Sequence, residues 1–270
     1  MNVSDTRFAG SIPAIYDEYL VPLLFEPYAK DLAARFGDLH SGELLEIAAG
    51  TGAVTLELAK ALPASVRIVA TDLNEAMLRV AATRVSRPAL TWQQADAQQL
   101  PFAAAAFDAV VCQFGVMFLP DKQAGYREVL RVLRPSGRFV FNVWDRLEQN
   151  EVSRIVTDAV AGLFPDDPPR FFERTPFGYF DHATIRGQLE AAGFQRVAIE
   201  TVERVTRAVS AEHVAVGLCT GTPLRSEIEA RNPAGLDAAA AAATRALIAS
   251  FGAGAFDNRM SAHVVTAWCG

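Results

Sequence analysis

Cysteine is scarce in this sequence, which has three in 270 residues: Cys112, Cys219 and Cys269. The number is odd and no two have C-x-x-C spacing, so neither a disulfide framework nor a cysteine-based zinc site is indicated. The four histidines lack metal-ligand spacing such as H-x-x-x-H, and we expect no metal centre. Reduced thiols of this kind predict a cytoplasmic protein.

The sequence also lacks an excess of basic residues and has no long apolar run. The 25 basic residues face 31 acidic ones, which gives a net charge of -6 and no basic surface for a nucleic-acid partner. No apolar run reaches the roughly 18 residues of a membrane span. The alanine-rich stretch 237–251 is better explained as one helix, because alanine has the highest helix propensity. The first ten residues lack the basic-then-apolar order of a signal peptide.

Short apolar runs alternate with helical patterns along the chain. Five strands are predicted in GELLEIAA, VRIVATD, LTWQQAD, FDAVVCQF and GRFVFNVW, and two more in FQRVAIETVERV and SAHVVTAWCG. Between them, AVTLELAKAL, NEAMLRVAATRV and AGYREVLRVL have helical spacing, with Asn74 as a helix N-cap. This alternation predicts an α/β fold with a doubly wound, seven-stranded, mainly parallel sheet.

The domain organisation predicted from the sequence is a single domain, 1–270, with three elaborations. An N-terminal helical cover lies at about 10–40, and two insertions lie at about 146–184 and 208–258. No internal repeat and no linker composition divides the chain further.

A glycine turn follows the first predicted strand, in LLEIAAGTGAVT at 44–55. Gly50-Thr51-Gly52 before a helix places backbone N–H groups around a ligand, and glycine allows close approach and positive φ. Asp72 ends the second strand, at a distance from the turn that suits an acceptor for ribose hydroxyls. Asp96 ends the third strand and could accept from an amine such as that of adenine. Each carboxylate could instead be a solvated loop residue or a helix or loop cap.

A nicotinamide-dependent oxidoreductase is the first alternative. Its fingerprint is G-x-G-x-x-G/A, and the pattern from Gly50 and Gly52 fails at Thr55, which is bulkier than the residue that close helix–strand packing needs.

Four segments in order carry a more specific signal: LLEIAAGTG, VATDLNEAML, QQADAQQLPFAAAAFDAVVCQFGVMFLPD and REVLRVLRPSGRFVF. Together they resemble the class I S-adenosylmethionine-dependent methyltransferases, in the methyltransferase type 11 branch with the ubiquinone/menaquinone-biosynthesis enzymes. The resemblance covers residues 40–145 closely and extends weakly to 200. It implies a Rossmann-like methyltransferase fold with helical lid elaborations, S-adenosyl-L-methionine as cofactor and S-adenosyl-L-homocysteine as product.

The resemblance implies that the turn surrounds the methionine end of the cofactor. Gln113, just past the fourth strand, matches the position that faces the methionine moiety and the transfer site. Tyr16 resembles an N-terminal tyrosine that closes over the cofactor in many members. Ala48 departs from the family, which usually has its first glycine there. We expect alanine to fit only if its φ is negative and the ligand does not press on its Cβ.

The nucleoside end is assigned in the same way. Asp72 matches the ribose-binding carboxylate, Leu73 its apolar neighbour beside adenine, and Asp96 with Ala97 the pair that reads the adenine edge. The predicted cofactor-binding residues are Tyr16, Glu46, Ala48, Gly50, Gly52, Asp72, Leu73, Asp96, Ala97 and Gln113.

No catalytic motif is evident. Methyl transfer from a sulfonium is an in-line displacement that needs proximity and orientation, and a base only for some acceptors. Tyr16, His182 and His213 are weak candidates, and a helix-cap or surface role explains each histidine better. An aromatic cluster in the insertion after the fifth strand suggests a small, partly apolar acceptor, although core packing explains most of its members: Phe164, Phe171, Phe172, Phe177, Tyr179 and Phe180.

The sequence therefore favours an S-adenosylmethionine-dependent methyltransferase with a small-molecule acceptor. A non-catalytic cofactor-binding or regulatory protein of the same fold is the alternative. The acceptor, the kind of atom methylated and the oligomeric state, including a homodimer, stay open.

Overall fold

The computed structural model describes Asp5 and residues 10–270, and it contains the predicted seven-stranded sheet. The strands are β1 Gly42–Glu46, β2 Val66–Asp72, β3 Leu90–Gln94, β4 Phe107–Gln113, β5 Leu133–Trp144, β6 Arg196–Ala208 and β7 Phe256–Trp268. Their order in the sheet is β3-β2-β1-β4-β5-β7-β6. The pairs among β1 to β5 are parallel, and β7 runs antiparallel to β5.

The strand order reverses between β1 and β4. The chain moves outward from β1 through β2 to β3, then returns to the other side of β1 for β4 and β5. Because crossovers between parallel strands are right-handed, this reversal puts the intervening helices on opposite faces of the sheet. Ligands of such sheets bind at the reversal, beyond the carboxyl ends of the strands. We therefore expect a ligand site at the carboxyl ends of β1 and β4.

Helices connect the strands as the sequence predicted. The predicted helix in 237–251 is confirmed, as are those between the first five strands. The α-helices are α1 Ile12–Ile15, α2 Glu26–Ala34, α3 Ala53–Ala61, α4 Glu75–Arg84, α5 Lys122–Val132, α6 Glu151–Ala161, α7 Phe171–Arg174, α8 His182–Ala192, α9 Ala211–Thr220, α10 Leu224–Arg231 and α11 Leu236–Phe251.

Between α1 and α2 the chain stays helical but widens into a π-helix, Tyr16–Phe25. Pro22 lies inside it and has no N–H to donate. The helix ends with Glu26 N donating to Val21 O, a five-residue step typical of π geometry. The predicted helical character of the N-terminal segment is confirmed.

Two strands begin earlier than expected. β5 starts at Leu133 rather than at Gly137, and β7 starts at Phe256 rather than near residue 261. The additional residues, LRPS and FDNRM, mix polar with apolar side chains, so the continuous apolar pattern begins after the start of each strand. In β5 the pairing with β4 shifts register between Phe107 and Ala109, and Ser136 has φ +64, the geometry of a bulge.

The chain divides into two compact units. Unit 1 comprises residues 1–27, 145–178 and 203–261, and unit 2 comprises 28–144, 179–202 and 262–270. Unit 2 has a buried core in which apolar residues of α2 and α3 pack on β1, β2, β4 and β5. The prediction of a single domain with elaborations stays a prediction.

No helix in the described part of the chain is both long and apolar enough to cross a membrane.

Candidate active site

The turn after β1 has three residues in the left-handed region. Ala48 has φ +52, Gly50 φ +57 and Gly52 φ +81. The expectation of a negative φ at Ala48 is therefore wrong. A left-handed conformation costs an L-residue roughly 1–2 kcal/mol, which small alanine can bear when its surroundings fix the backbone.

Backbone bonds on both sides hold Ala48 in this conformation. Ile47 N donates to Val111 O of β4 at 3.0 Å, and Ala49 N donates to Thr71 O of β2 at 2.8 Å. The turn is thereby tied to both neighbouring strands. The methyl of Ala48 lies toward Gly115, since a Cβ added to Gly115 would be only 2.5 Å from it.

The two glycines of the turn have different surroundings. A Cβ on Gly50 would meet no atom within 4 Å, so open space lies beside its backbone. A Cβ on Gly52 would be 3.1 Å from the Cβ of Ala81 and 3.2 Å from the ring of Trp92. Gly52 is therefore needed for packing, and Gly50 leaves room where a ligand would approach.

Asp72, the last residue of β2, joins this turn. Its Oδ2 accepts from Gly50 N at 2.9 Å, and its Oδ1 accepts from Asn74 N at 2.8 Å. Asn74 precedes α4 as predicted, but its side chain makes no capping bond and instead lies near Asp72. A carboxylate accepts about four hydrogen bonds, so Asp72 retains lone pairs for a ligand. Burial raises the pKa of Asp72, and the bonds from Asn74 and Gly50 oppose that shift.

Glu46, the last residue of β1, is buried beneath the turn. Thr55 Oγ1 of α3 donates to Glu46 Oε2 at 2.6 Å, and both side chains are buried. Burial raises the pKa of Glu46 from 4.5 to about 8, the Thr55 bond opposes this, and the charge of Asp72 adds to it. Sequence reasoning missed Thr55, which it treated only as a failed glycine position.

Glu46 and Asp72 bring two buried carboxyl groups to the turn. Within the described residues neither carboxylate forms a salt bridge, and both are more than nine-tenths buried. Buried carboxylates without an ion-pair partner favour a positively charged ligand, because such a ligand stabilises their ionised forms.

The residues assigned to the adenine end lie at the next strands. Leu73 is 48% exposed, an unusual exposure for a large apolar side chain that follows a buried strand. Asp96 follows β3, and its Oδ1 accepts from Gln98 N at 2.8 Å, the geometry of a loop cap. Ala95 N donates to Asp72 O at 3.1 Å, which links this loop to β2. Ala97 is half-buried in the same loop.

Gln113 ends β4 at the strand reversal. Its side-chain Oε1 is buried and has no hydrogen-bond partner among the described residues. The next residue, Phe114, has φ +49, which is rare for a bulky side chain. Its ring stacks on Trp144, with centroids 3.9 Å apart, and meets Tyr28 edge-on at 5.3 Å.

The weak catalytic candidates make local contacts within their own units. His182 begins α8, where Asp181 caps the helix by accepting from Thr184 N at 2.8 Å, so the predicted helix start is confirmed. His182 meets His263 edge-on, with centroids 4.2 Å apart. In unit 1, His213 lies in the first turn of α9 and stacks on Tyr19 at 4.4 Å, and Tyr16 stacks on Phe25 at 4.9 Å.

Most of the aromatic cluster is packed inside its units. Phe171, Phe172 and Phe177 are buried next to one another in unit 1. Tyr179 belongs to unit 2, where its hydroxyl lies 3.0 Å from that of Tyr126 and donates to Gln188 Oε1 at 2.6 Å. Phe164 and Phe180 are half-buried.

Among the described residues, no group of three or more His, Cys, Asp or Glu side chains could hold a metal ion. The three cysteines are free, and two of them, Cys112 and Cys219, are buried.

Comparison with known proteins identifies the family. A family model described as "Methyltransferase domain" matches residues 45–141, which include the turn, Asp72, Asp96 and Gln113. The demethylmenaquinone methyltransferase of Thermobifida fusca is 32% identical over 208 residues, 70% of this chain and 87% of that protein. The chain is a class I S-adenosylmethionine-dependent methyltransferase.

Further relatives agree with this assignment. The ubiquinone/menaquinone biosynthesis C-methyltransferase UbiE of Stutzerimonas stutzeri is 28% identical over 60% of this chain and 68% of its own length. Phosphoethanolamine N-methyltransferase 2 of Haemonchus contortus, solved with S-adenosyl-L-methionine, has a TM-score of 0.59 at 15% identity, over 96% of this chain and 56% of that one. The methyltransferase thus belongs to the ubiquinone/menaquinone-biosynthesis-like branch and has the Rossmann-like methyltransferase fold, as predicted.

Proposed function

We propose that the methyltransferase holds S-adenosyl-L-methionine at the carboxyl ends of β1, β2, β3 and β4. The observation that carries this proposal is the turn itself: Gly50 leaves open space beside a backbone that Asp72 fixes through Gly50 N. The buried, unpartnered Oε1 of Gln113 supports it from β4, because a buried acceptor needs a donor.

Each residue then has a chemical task. Asp72 accepts from ribose hydroxyls with its remaining lone pairs, and exposed Leu73 covers the adenine ring. Asp96 and Ala97 contact the adenine edge. Ala48, Gly50 and Gly52 surround the methionine end, and the buried carboxyl group of Glu46 lies beneath them.

Gln113 completes the proposed site. Its Oε1 accepts from the amino group of the methionine moiety, while the role of Tyr16 stays a prediction from the family resemblance. When bound, S-adenosyl-L-methionine supplies a methyl group on a sulfonium, which is already activated for displacement. The protein then contributes mainly binding, orientation and the exclusion of water.

The acceptor we propose is a small, partly apolar molecule. Two relatives are named as methyltransferases of ubiquinone/menaquinone biosynthesis and of demethylmenaquinone, which are small molecules. The net charge of -6 disfavours a nucleic-acid acceptor. Three free cysteines support a reaction in the cytoplasm. A homodimer is compatible with this proposal but is not required by it.

Calorimetric titration with S-adenosyl-L-homocysteine tests the cofactor site. We expect saturable binding to the wild type and at least a tenfold loss in Asp72→Ala. Asp38→Ala is the matched control, since Asp38 is an exposed carboxylate, paired with Arg138, outside the proposed site. Absence of binding to the wild type, or equal binding by the Asp72→Ala protein, would overturn the assignment.

A transfer assay tests the acceptor class. Methyl-labelled S-adenosyl-L-methionine is incubated with demethylmenaquinol, a water-soluble catechol and a short RNA, and label is followed into each. Transfer to the quinol or the catechol supports a small aromatic acceptor. Transfer to the RNA alone would contradict it.

A further inference from the structure

Asn142 is a fully buried amide in β5 of the methyltransferase, and it lies outside the four segments that carry the family resemblance. It lies in β5 opposite Gln113 of β4, as a register partner in the parallel pair. Register partners of neighbouring strands point to the same face of a sheet. The side chain of Asn142 therefore lies beside the end of β4 that precedes the proposed transfer site.

The carbonyl oxygens of Asn142 hold the residue after Gln113. Phe114 N donates to the side-chain Oδ1 of Asn142 at 2.8 Å and also approaches its backbone O at 3.2 Å. Phe114 has φ +49, a conformation that a bulky residue keeps only when its surroundings impose it. The hydrogen bond from Phe114 N to Asn142 supplies such a constraint. The left-handed turn that it holds comes directly after the last residue of β4, Gln113.

The conformation of Phe114 determines the position of its own ring and of the next residue, Gly115. Phe114 places its ring parallel to Trp144, the last residue of β5, with an angle of 10° between the planes. Gly115 follows, in contact range of Ala48 in the cofactor turn. One buried amide thus fixes the backbone that separates Gln113 from the Ala48 turn.

Stability alone does not explain this asparagine. Its Nδ2 is buried without a hydrogen-bond partner among the described residues, and a buried unsatisfied donor costs free energy of folding. An apolar side chain of similar size would avoid that cost but could not accept from Phe114 N. We therefore take the role of the amide to be that its oxygen accepts the hydrogen bond from Phe114 N.

We propose that Asn142 is a positioning residue for cofactor binding and methyl transfer, which acts by holding Phe114 in its left-handed conformation and so fixes Gln113. This inference rests on the proposed role of Gln113 at the methionine end. It predicts that Asn142 matters through geometry, without contact between its side chain and the ligand.

Calorimetry with S-adenosyl-L-homocysteine, together with near-ultraviolet circular dichroism, tests this role. We expect Asn142→Ala to weaken binding about tenfold and to change the tryptophan bands, because the Phe114–Trp144 stack loosens. Asn142→Asp retains an acceptor oxygen and should restore affinity to within about threefold of the wild type. In a double-mutant cycle with Gln113→Ala, the second substitution should add little to the first.

Asn258 provides a matched control in unit 1. It is also fully buried, and its amide donates to Thr206 Oγ1 at 3.3 Å while its Oδ1 lacks a partner among the described residues. Asn258→Ala should lower thermal stability without changing affinity or the tryptophan bands. If Asn142→Ala does not fold, Asn142→Ser, which leaves a smaller cavity, takes its place.

The outcomes separate the two proposals. Wild-type binding with unchanged affinity in the folded Asn142 variants overturns the positioning role and leaves the cofactor site intact. Equal losses in the Ala and Asp variants, or the same loss in Asn258→Ala, also overturn it. If the wild type itself does not bind, the proposed cofactor site fails, and the inference fails with it.

Discussion

The Cβ of Ala48 occupies the space that a side chain on Gly115 would need, since a Cβ built on Gly115 would be 2.5 Å from it. The two residues follow β1 and β4, the strands between which the sheet reverses direction. Alanine at the position of the family's first glycine is thus matched by a glycine opposite. The methyl group lies against the protein at this point, which explains how the turn tolerates the substitution.

This relationship predicts energetic coupling between Ala48 and Gly115. Ala48→Gly removes left-handed strain and should stabilise the fold by up to about 1 kcal/mol. Gly115→Ala overpacks the contact and should destabilise by about 1–3 kcal/mol. In the double variant the cost of the Gly115 change should fall, though not to zero, because Cys112 Sγ would also lie 2.6 Å from the new Cβ. Denaturant unfolding of all four proteins measures the coupling, and strictly additive values would contradict it.

Thr55 should prove necessary for its hydroxyl rather than for its size. Thr55→Val keeps the shape but leaves the buried Glu46 carboxyl with one hydrogen bond fewer, at a cost of about 1–3 kcal/mol. Thr55→Ser retains the hydroxyl and should cost less. Thermal or denaturant unfolding compares the three proteins. A valine variant as stable as the wild type would show that the hydrogen bond to Glu46 makes no net contribution to the free energy of unfolding.

The raised pKa of Glu46 predicts a pH dependence of stability. Its pKa is about 8 in the folded protein and 4.5 ordinarily, so the fold favours the protonated form. The resulting stabilisation is complete below pH 4.5 and is lost as the pH rises through about 8. Glu46→Gln cannot titrate, so the stability of the wild type relative to this variant should fall across that window. Unfolding free energies measured from pH 5 to 9 test this, and parallel curves for the two proteins would refute it.

Ionisation of Glu46 should also affect the choice between cofactor and product. S-adenosyl-L-methionine carries a sulfonium charge that S-adenosyl-L-homocysteine lacks, and an ionised carboxylate favours the charged ligand. The ratio of the two dissociation constants should therefore shift toward the cofactor between pH 6.5 and 9 in the wild type. Glu46→Gln should give a flat ratio. Calorimetric titration with both ligands at three pH values measures the ratio of their dissociation constants. A ratio independent of pH in the wild type would contradict this prediction.

Much of the fold follows from local patterns. VRIVATD is β2 from its first residue to its last, because its buried apolar side chains end at the turn to Asn74. The early starts of β5 and β7 could not be predicted in this way, because polar residues interrupt the buried apolar ones (Leu133, Phe256 and Met260) in LRPS and FDNRM.

The site was predictable only in part. Spacing along the chain suggested that Asp72 belongs with the Gly50 turn, and the bond from Gly50 N to its carboxylate joins them. The φ of Ala48 could not be predicted, because the backbone bonds that hold the turn come from Thr71 and Val111, which are distant in sequence. Thr55 and Asn142 carry no motif, and their roles depend on partners brought together by the strand order.

The structure of the complex with S-adenosyl-L-homocysteine tests the central claim most directly. We predict the ribose at Asp72, the adenine between Leu73 and Asp96, and the amino-acid end along the Ala48–Gly52 turn, with its amino group at Gln113 Oε1. The methyl of Ala48 should stay against Gly115. A ligand bound elsewhere, or a turn that must reverse the φ of Ala48 to admit it, would contradict this account.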